Sequence, residues 1–99
     1  MFDVLAEPNR RRILDLLRER DRAVGELVAA LGTSQPAVSK HLRILREAGL
    51  VDVRVDGPRR IYALDATPLR ELDEWLTPYR AAWGARLDAL ERRLDAMPE

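Results

Sequence analysis

The chain contains no cysteine and a single histidine, His41, among 99 residues. The first absence excludes disulfides, thiolate metal ligands and thiol redox sensing. The second leaves zinc and related metals short of ligands, so neither a metal nor a cofactor is expected. An enzyme is not expected either: no nucleophile and base form a pair, and the carboxylates are spaced like helix-surface charges. Long apolar runs are also missing. The longest is five residues, Leu27 to Leu31, too short for a membrane span or a signal-peptide core, so a cytoplasmic protein without a membrane partner is expected. Aromatic residues are scarce, at 5%.

What is present is an ordinary globular composition, 46% hydrophobic and 34% charged, with room for one domain. A chain of this size buries only roughly 60–65% of its unfolded surface, so a partner would add to a thin core. The 17 bases and 17 acids cancel, but unevenly: residues 1–8 carry −2, residues 9–64 carry +5 and residues 65–99 carry −3. All the bases but Lys40 are arginine, which suits bidentate contact with phosphate or guanine, although a codon bias would have the same effect.

The hydrophobic period divides the chain. Phe2, Leu5 and Ala6 open a short apolar segment that ends at Glu7-Pro8, where proline restricts the residue before it. Ile13, Leu14, Leu16 and Leu17 predict an amphipathic helix over 9–20, and Val24, Leu27, Val28 and Leu31 a second over 23–31, stopped by Gly32. Ser34 is an N-cap with Pro36 in the first turn, and Val38, Leu42 and Leu45 carry a third helix to Ala48 and Gly49. Val51, Val53 and Val55 then alternate with polar residues, predicting a half-buried strand. Asp56 to Arg59 forms a turn, and residues 60–64 the returning strand of a hairpin. Thr67-Pro68 starts a last helix whose apolar residues, Leu69 to Met97, fall three and four apart in a near coiled-coil seam. Pro78 interrupts it, predicting a kink near Thr77 or two abutting helices.

Helix, helix, glycine-containing turn, helix and hairpin is the order of a winged helix-turn-helix. The expected fold is mainly α with a small β-hairpin and a long C-terminal dimerisation helix, in one domain: an N-terminal helix in 1–8, the helix-turn-helix and wing in 9–64, and the C-terminal helix in 65–99. With Val38, Leu42 and Leu45 inward, the third helix offers Ser34 and Gln35 at its tip and Ser39, Lys40 and Arg43 on its other faces. Glutamine suits adenine edges, arginine suits guanine, and the helix N-terminus attracts phosphate. Arg54, Arg59 and Arg60 cluster at the hairpin, within reach of a phosphate or the minor groove if the hairpin is a wing, and a solvated turn otherwise. His41 adjoins the apolar face, where packing or an internal hydrogen bond competes with DNA contact. Arg10, Arg11 and Arg12 are read as a solvated helix start in preference to a DNA backbone contact. Trp75, Tyr79 and Trp83 line one side of the last helix, for packing across a dimer or for walling a small-molecule pocket.

The run Leu5-Ala6-Glu7-Pro8-Asn9-Arg10, the run Ser34-Gln35-Pro36-Ala37-Val38-Ser39 with His41-Leu42, the segment Arg43 to Val51 and the wing Gly57 to Tyr62 together resemble the ArsR/SmtB family of bacterial winged-helix repressors. The resemblance spans nearly the whole chain. It implies a homodimer built on the first and last helices, through Phe2, Leu5, Leu72, Leu76, Tyr79, Trp83, Leu87 and Leu90. It also implies binding to double-stranded DNA at an inverted-repeat operator, with repression of its own or a neighbouring operon. Metal sensors of that family carry a Cys-Val-Cys pattern where this chain has Ala23-Val24-Gly25, and others use histidines on the last helix, which has none here. The resemblance therefore points to the family's metal-independent branch, with any small-molecule effector left open. Two other functions compete: a winged-helix module for protein contact, and a small-molecule sensor using Trp75, Tyr79 and Trp83.

Overall fold

The computed structural model describes residues 1–97, which fall into two compact units, Met1–Pro68 and the segment from Leu69 onward. The first unit opens with a short helix, α1 (Phe2–Ala6), followed directly by α2 (Pro8–Glu19). Pro8 occupies the first turn of α2, where its missing N–H costs nothing, and the Glu7 side chain accepts from the Asn9 amide at 3.2 Å. Strand β1 (Arg22–Ala23) leads into α3 (Val24–Leu31), which Gly32 ends in the left-handed conformation at φ 66°. Ser34 caps α4 (Gln35–Glu47), its Oγ accepting from the Ala37 amide at 3.3 Å.

Gly49, at φ 78°, closes α4, with the Leu50 amide donating back to the Leu45 carbonyl at 3.0 Å. The chain then forms β2 (Val51–Asp56) and β3 (Arg59–Leu64), joined by Gly57-Pro58. All three strands are antiparallel in the order β1-β3-β2. The sheet thus has one strand more than the expected hairpin. Arg22 and Ala23 pair with Tyr62 and Ile61, so the residue expected to start α3, Ala23, belongs to the sheet.

The core of this unit is aliphatic. Ile13, Leu14 and Leu17 of α2 meet Leu27 and Leu31 of α3, Val38, Leu42 and Leu45 of α4, and Leu50, Val51 and Ile61 around the sheet. The three inward positions expected on α4 are its three buried residues. In β2 the expected alternation fades toward the turn: Val51 is buried, Val53 half-buried and Val55 75% exposed. The distal half of the hairpin extends past the apolar body, as a wing does.

The last element is α5 (Thr67–Ala96), one continuous helix containing Pro78. Of the two outcomes expected at Pro78, the split into two abutting helices is not found: the helix runs through the proline. Proline removes one backbone donor, and side chains bridge the site: Thr77 Oγ1 donates to the Asp73 carbonyl at 3.2 Å, and Arg80 bonds both Thr77 Oγ1 and the Asp73 carboxylate. At the start of the helix the capping group is Asp65 rather than Thr67, with Asp65 Oδ1 accepting from the Thr67 amide at 3.0 Å. That bond holds the Asp65 carboxyl below its ordinary range. No described residue of α5 is fully buried.

Candidate nucleic-acid interface

Because Val38, Leu42 and Leu45 are committed to the core, the opposite side of α4 faces outward. Gln35, Ser39, Lys40 and Arg43 are all exposed. Ser34 is exposed too, but its hydroxyl is engaged in capping the helix. Gln35, Ser39 and Arg43 line a groove of about 430 Å³, together with Arg46 further along the helix and Arg60 and Tyr62 of β3. Lys40 opens on an adjoining recess shared with Pro36, Ser39 and Arg43. A third recess, of about 540 Å³, lies between the start of α3 and the wing tip, and includes Gln35, Arg59 and Arg60. Gln35, Ser39, Lys40 and Arg43 of α4 and Arg59 and Arg60 of the wing therefore line recesses that share residues with one another.

Arg46 is the residue missed in the sequence. It lies three positions after Arg43 and seven after Ser39, the spacing of one helix face, and that periodicity was available to find it. Among the described residues Lys40, Arg43, Arg46 and Arg60 have no carboxylate within ion-pair distance. Unpaired cations on one surface produce a field that attracts a polyanion.

The other two wing arginines are already engaged. Arg54 Nη1 lies 2.7 Å from Asp21 Oδ2, and Arg59 Nη2 lies 3.0 Å from Glu26 Oε1. Glu26 also takes Arg20 on its other oxygen at 2.9 Å and accepts from the Ala23 amide at the start of α3. The hydrogen bond from Arg20 is the chief reason its carboxyl sits below the ordinary glutamate range.

His41 is half-buried and turned to the body: its Nδ1 accepts from Arg10 Nε at 3.3 Å. The internal hydrogen bond expected as one of its uses is present. Of the arginine triplet, Arg11 and Arg12 are exposed, in keeping with a solvated helix start, and all three also bond backbone carbonyls. Arg10 Nη1 donates to the carbonyls of Asp3 and Val4, and Arg11 Nη1 to those of Leu5 and Ala6 at 2.8 and 3.1 Å. Arg12 Nη2 reaches the Ala30 carbonyl at 3.3 Å, near the end of α3. These guanidiniums satisfy carbonyls that helix ends leave unpaired.

The dimer candidates are distributed as follows. Phe2 of α1 is 63% exposed and Leu5 half-buried. On α5, Leu72 and Leu76 are half-buried, while Tyr79, Trp83, Leu87 and Leu90 are exposed. Trp75 and Tyr79 stack at a tilt, with centroids 4.9 Å apart. Among the described residues no three His, Cys, Asp or Glu side chains come together as a metal site requires, and no helix is long and apolar enough to cross a membrane.

Comparison with known proteins agrees with this geometry. Residues 7–53 match the model of the bacterial regulatory proteins of the arsR family. The uncharacterized HTH-type transcriptional regulator Rv0081 of Mycobacterium tuberculosis is 47% identical over 72 residues, an alignment covering 72% of this chain and 63% of that protein. The chain thus spans somewhat under two thirds of that relative's length. The transcriptional repressor SdpR of Bacillus subtilis is 33% identical over 76 residues, covering 77% of this chain and 84% of the repressor. Among solved structures, the homodimeric winged helix-turn-helix DNA-binding domain of Mb0332 from Mycobacterium bovis superposes with a TM-score of 0.64 at 30% identity, over 80% of this chain and 73% of that one. With its three-helix core, three-stranded sheet and wing, this chain belongs to the arsR family of bacterial regulatory proteins, a family of winged helix-turn-helix transcriptional regulators and not of enzymes.

Proposed function

We propose that this chain is a sequence-specific, DNA-binding regulator that acts as a homodimer, represses its own or a neighbouring operon and does not respond to a metal. The observation that carries the reading is the convergence of Gln35, Ser39, Arg43 and Arg46 on α4 with Arg60 on the wing, with the cations free of internal carboxylates. Helix α4 enters the major groove, where Gln35 and Arg43 read base edges and Ser39 accepts either kind of partner. Lys40, Arg46 and the wing arginines Arg54, Arg59 and Arg60 hold the phosphates on either side, supplying the salt-dependent part of the affinity. Ser34 serves at the tip by fixing the helix start, and His41 by fixing the helix against α2.

The homodimer is supported by the homodimeric Mb0332 domain and by the exposed apolar residues of α1 and α5. A two-fold axis sets the two copies of α4 about 34 Å apart, in successive major grooves of an inverted repeat. Repression is supported by the likeness to SdpR. Independence of metal is supported by Ala23-Val24-Gly25, which offer no ligand side chain.

The test is selection from random duplexes, followed by fluorescence anisotropy of the enriched duplex with mixed-sequence competitor, with and without chelator, and transcription from a promoter bearing the site. Tight, competitor-resistant and chelator-insensitive binding that lowers transcription is expected. No enrichment would remove the DNA reading and favour the protein-contact module, whereas binding that raises transcription would remove repression alone.

A further inference from the structure

We propose that Glu26 holds the wing-tip guanidinium of Arg59 in the free protein as a stand-in for a DNA phosphate, and that Arg59 transfers from Glu26 to the phosphate backbone on binding. The proposal rests on the DNA-binding reading above and assigns Glu26 a part in it as a positioning residue.

Three observations carry it. First, Arg59 lies beside the two-residue turn of the wing and borders the recess that also contains Gln35, the first residue of α4. Arg59 and the first residue of the recognition helix thus border one recess, open to a phosphate flanking the groove. Second, the pair is built to exchange. Both partners are partly exposed, with side-chain exposures of 56% and 33%, and such pairs are weakly held. Third, Glu26 has a second cation: Arg20 remains on its other oxygen, so the departure of Arg59 strands no carboxylate. The Arg54–Asp21 pair differs on this point, because among the described residues Asp21 has no other ion-pair partner. Arg59 is thus the wing cation that can leave without exposing an unpaired acid to the DNA.

The expected consequence is that the effect of Glu26 on DNA binding depends on the presence of Arg59. Glu26→Gln removes the charge that competes with phosphate but keeps an oxygen for the Ala23 amide, so the start of α3 retains its cap. Binding to a labelled mixed-sequence duplex is measured by anisotropy across a salt series for the parent, Glu26→Gln, Arg59→Gln and the double variant. Glu26→Gln is expected to tighten binding about threefold, the scale of a surface ion pair released. Arg59→Gln is expected to weaken binding and to lower the salt slope by about 0.9, one phosphate contact. In the double variant the gain from Glu26→Gln is expected to vanish. An equal gain in both backgrounds would show that Glu26 acts only as a nearby negative charge, and overturns the exchange. So would an unchanged slope in Arg59→Gln, which would mean that Arg59 stays on Glu26 in the complex. Weaker binding by Glu26→Gln would overturn it as well, by showing that the pair holds the wing in its DNA-contacting position. A parent protein that fails to bind any duplex at low salt overturns the DNA reading itself and the exchange with it. Normal parental binding without Glu26–Arg59 coupling overturns the exchange alone.

Discussion

Arg10 Nε donates to His41 Nδ1 at 3.3 Å, and the same guanidinium caps the carbonyls of Asp3 and Val4. One side chain of α2 thereby ties α1 to the middle of α4. The two elements it joins are the candidate for the dimer contact and the candidate for base reading. Arg10→Ala removes every one of these bonds, whereas His41→Ala removes one. At about 1 kcal/mol for a typical hydrogen bond, His41→Ala should lower stability modestly and Arg10→Ala by clearly more. Urea denaturation of the two single variants and the double checks it: sub-additive losses are expected, because both variants break the same bond. Strict additivity would mean that the contact contributes nothing in solution.

On the outer face of α4, Gln35 and Arg46 are expected to separate two kinds of contact. Gln35→Ala should cost about 1–3 kcal/mol on the selected operator and much less on mixed-sequence DNA, since its amide suits a base edge. Arg46→Ala should weaken both duplexes alike and lower the salt slope by about 0.9, as loss of a phosphate contact does. Equal losses from Gln35→Ala on the two duplexes would remove it from the base-reading set. An operator-selective loss from Arg46→Ala would move that residue into it.

The inner face sets stability. Leu45 of α4 is completely buried in the core, so Leu45→Ala should cost about 2–5 kcal/mol, the range for a leucine cavity that collapses only in part. Leu16, half-buried on α2, should cost less on the same substitution. A denaturation midpoint for Leu45→Ala close to that of the parent would contradict the packing described for this helix.

Which features were legible in the sequence follows from how local their causes are. Val38, Leu42 and Leu45 announce the inner face of α4 by spacing alone, and Ser34 and Gly32 mark helix ends through bonds and dihedrals a few residues long. Strand β1 was hidden because two residues have no periodicity, and Arg22 and Ala23 become a strand only by pairing with Tyr62 and Ile61. The carbonyl bonds of Arg10, Arg11 and Arg12 are not legible beside their solvated charge, because backbone acceptors leave no mark in a sequence. The Glu26–Arg59 and Asp21–Arg54 pairs join residues 33 positions apart, a separation that only the folded chain closes. Pro78 predicts a kink or a split from its usual effect on a helix, and the split is absent where Asp73, Thr77 and Arg80 bond to one another beside it.

Acid should weaken the first unit through Glu26. Its carboxyl is held below the ordinary glutamate range when folded, chiefly by the hydrogen bond from Arg20, and returns to that range when unfolded. The stabilisation is thus fully present above the ordinary range and is lost as pH falls through it toward the depressed folded value. Thermal melts from neutral pH down to about pH 3 should show a falling midpoint in that window, and Glu26→Gln should flatten part of the fall. Parallel curves for parent and variant would remove Glu26 from the account of acid sensitivity.

The dimer prediction rests on large apolar side chains left in water. Trp83 and Leu87 of α5 are 56% and 64% exposed in the single chain, and Phe2 of α1 is 63% exposed. Covering a side chain of this kind contributes about 1.5–3 kcal/mol, and a symmetric contact counts each residue twice. Trp83→Ala and Leu87→Ala should therefore each weaken self-association by well over tenfold, since every 1.4 kcal/mol is a factor of ten. Sedimentation velocity over a micromolar concentration series reads this directly, as a shift from dimer toward monomer that retains the parent's helical circular dichroism. DNA binding should fall with it, because an inverted repeat held by one copy of α4 loses half its base and phosphate contacts. A sedimenting mass that stays dimeric in both variants would place the contact elsewhere on the chain. A monomeric parent that still binds the operator tightly would separate recognition by α4 from any role of α5.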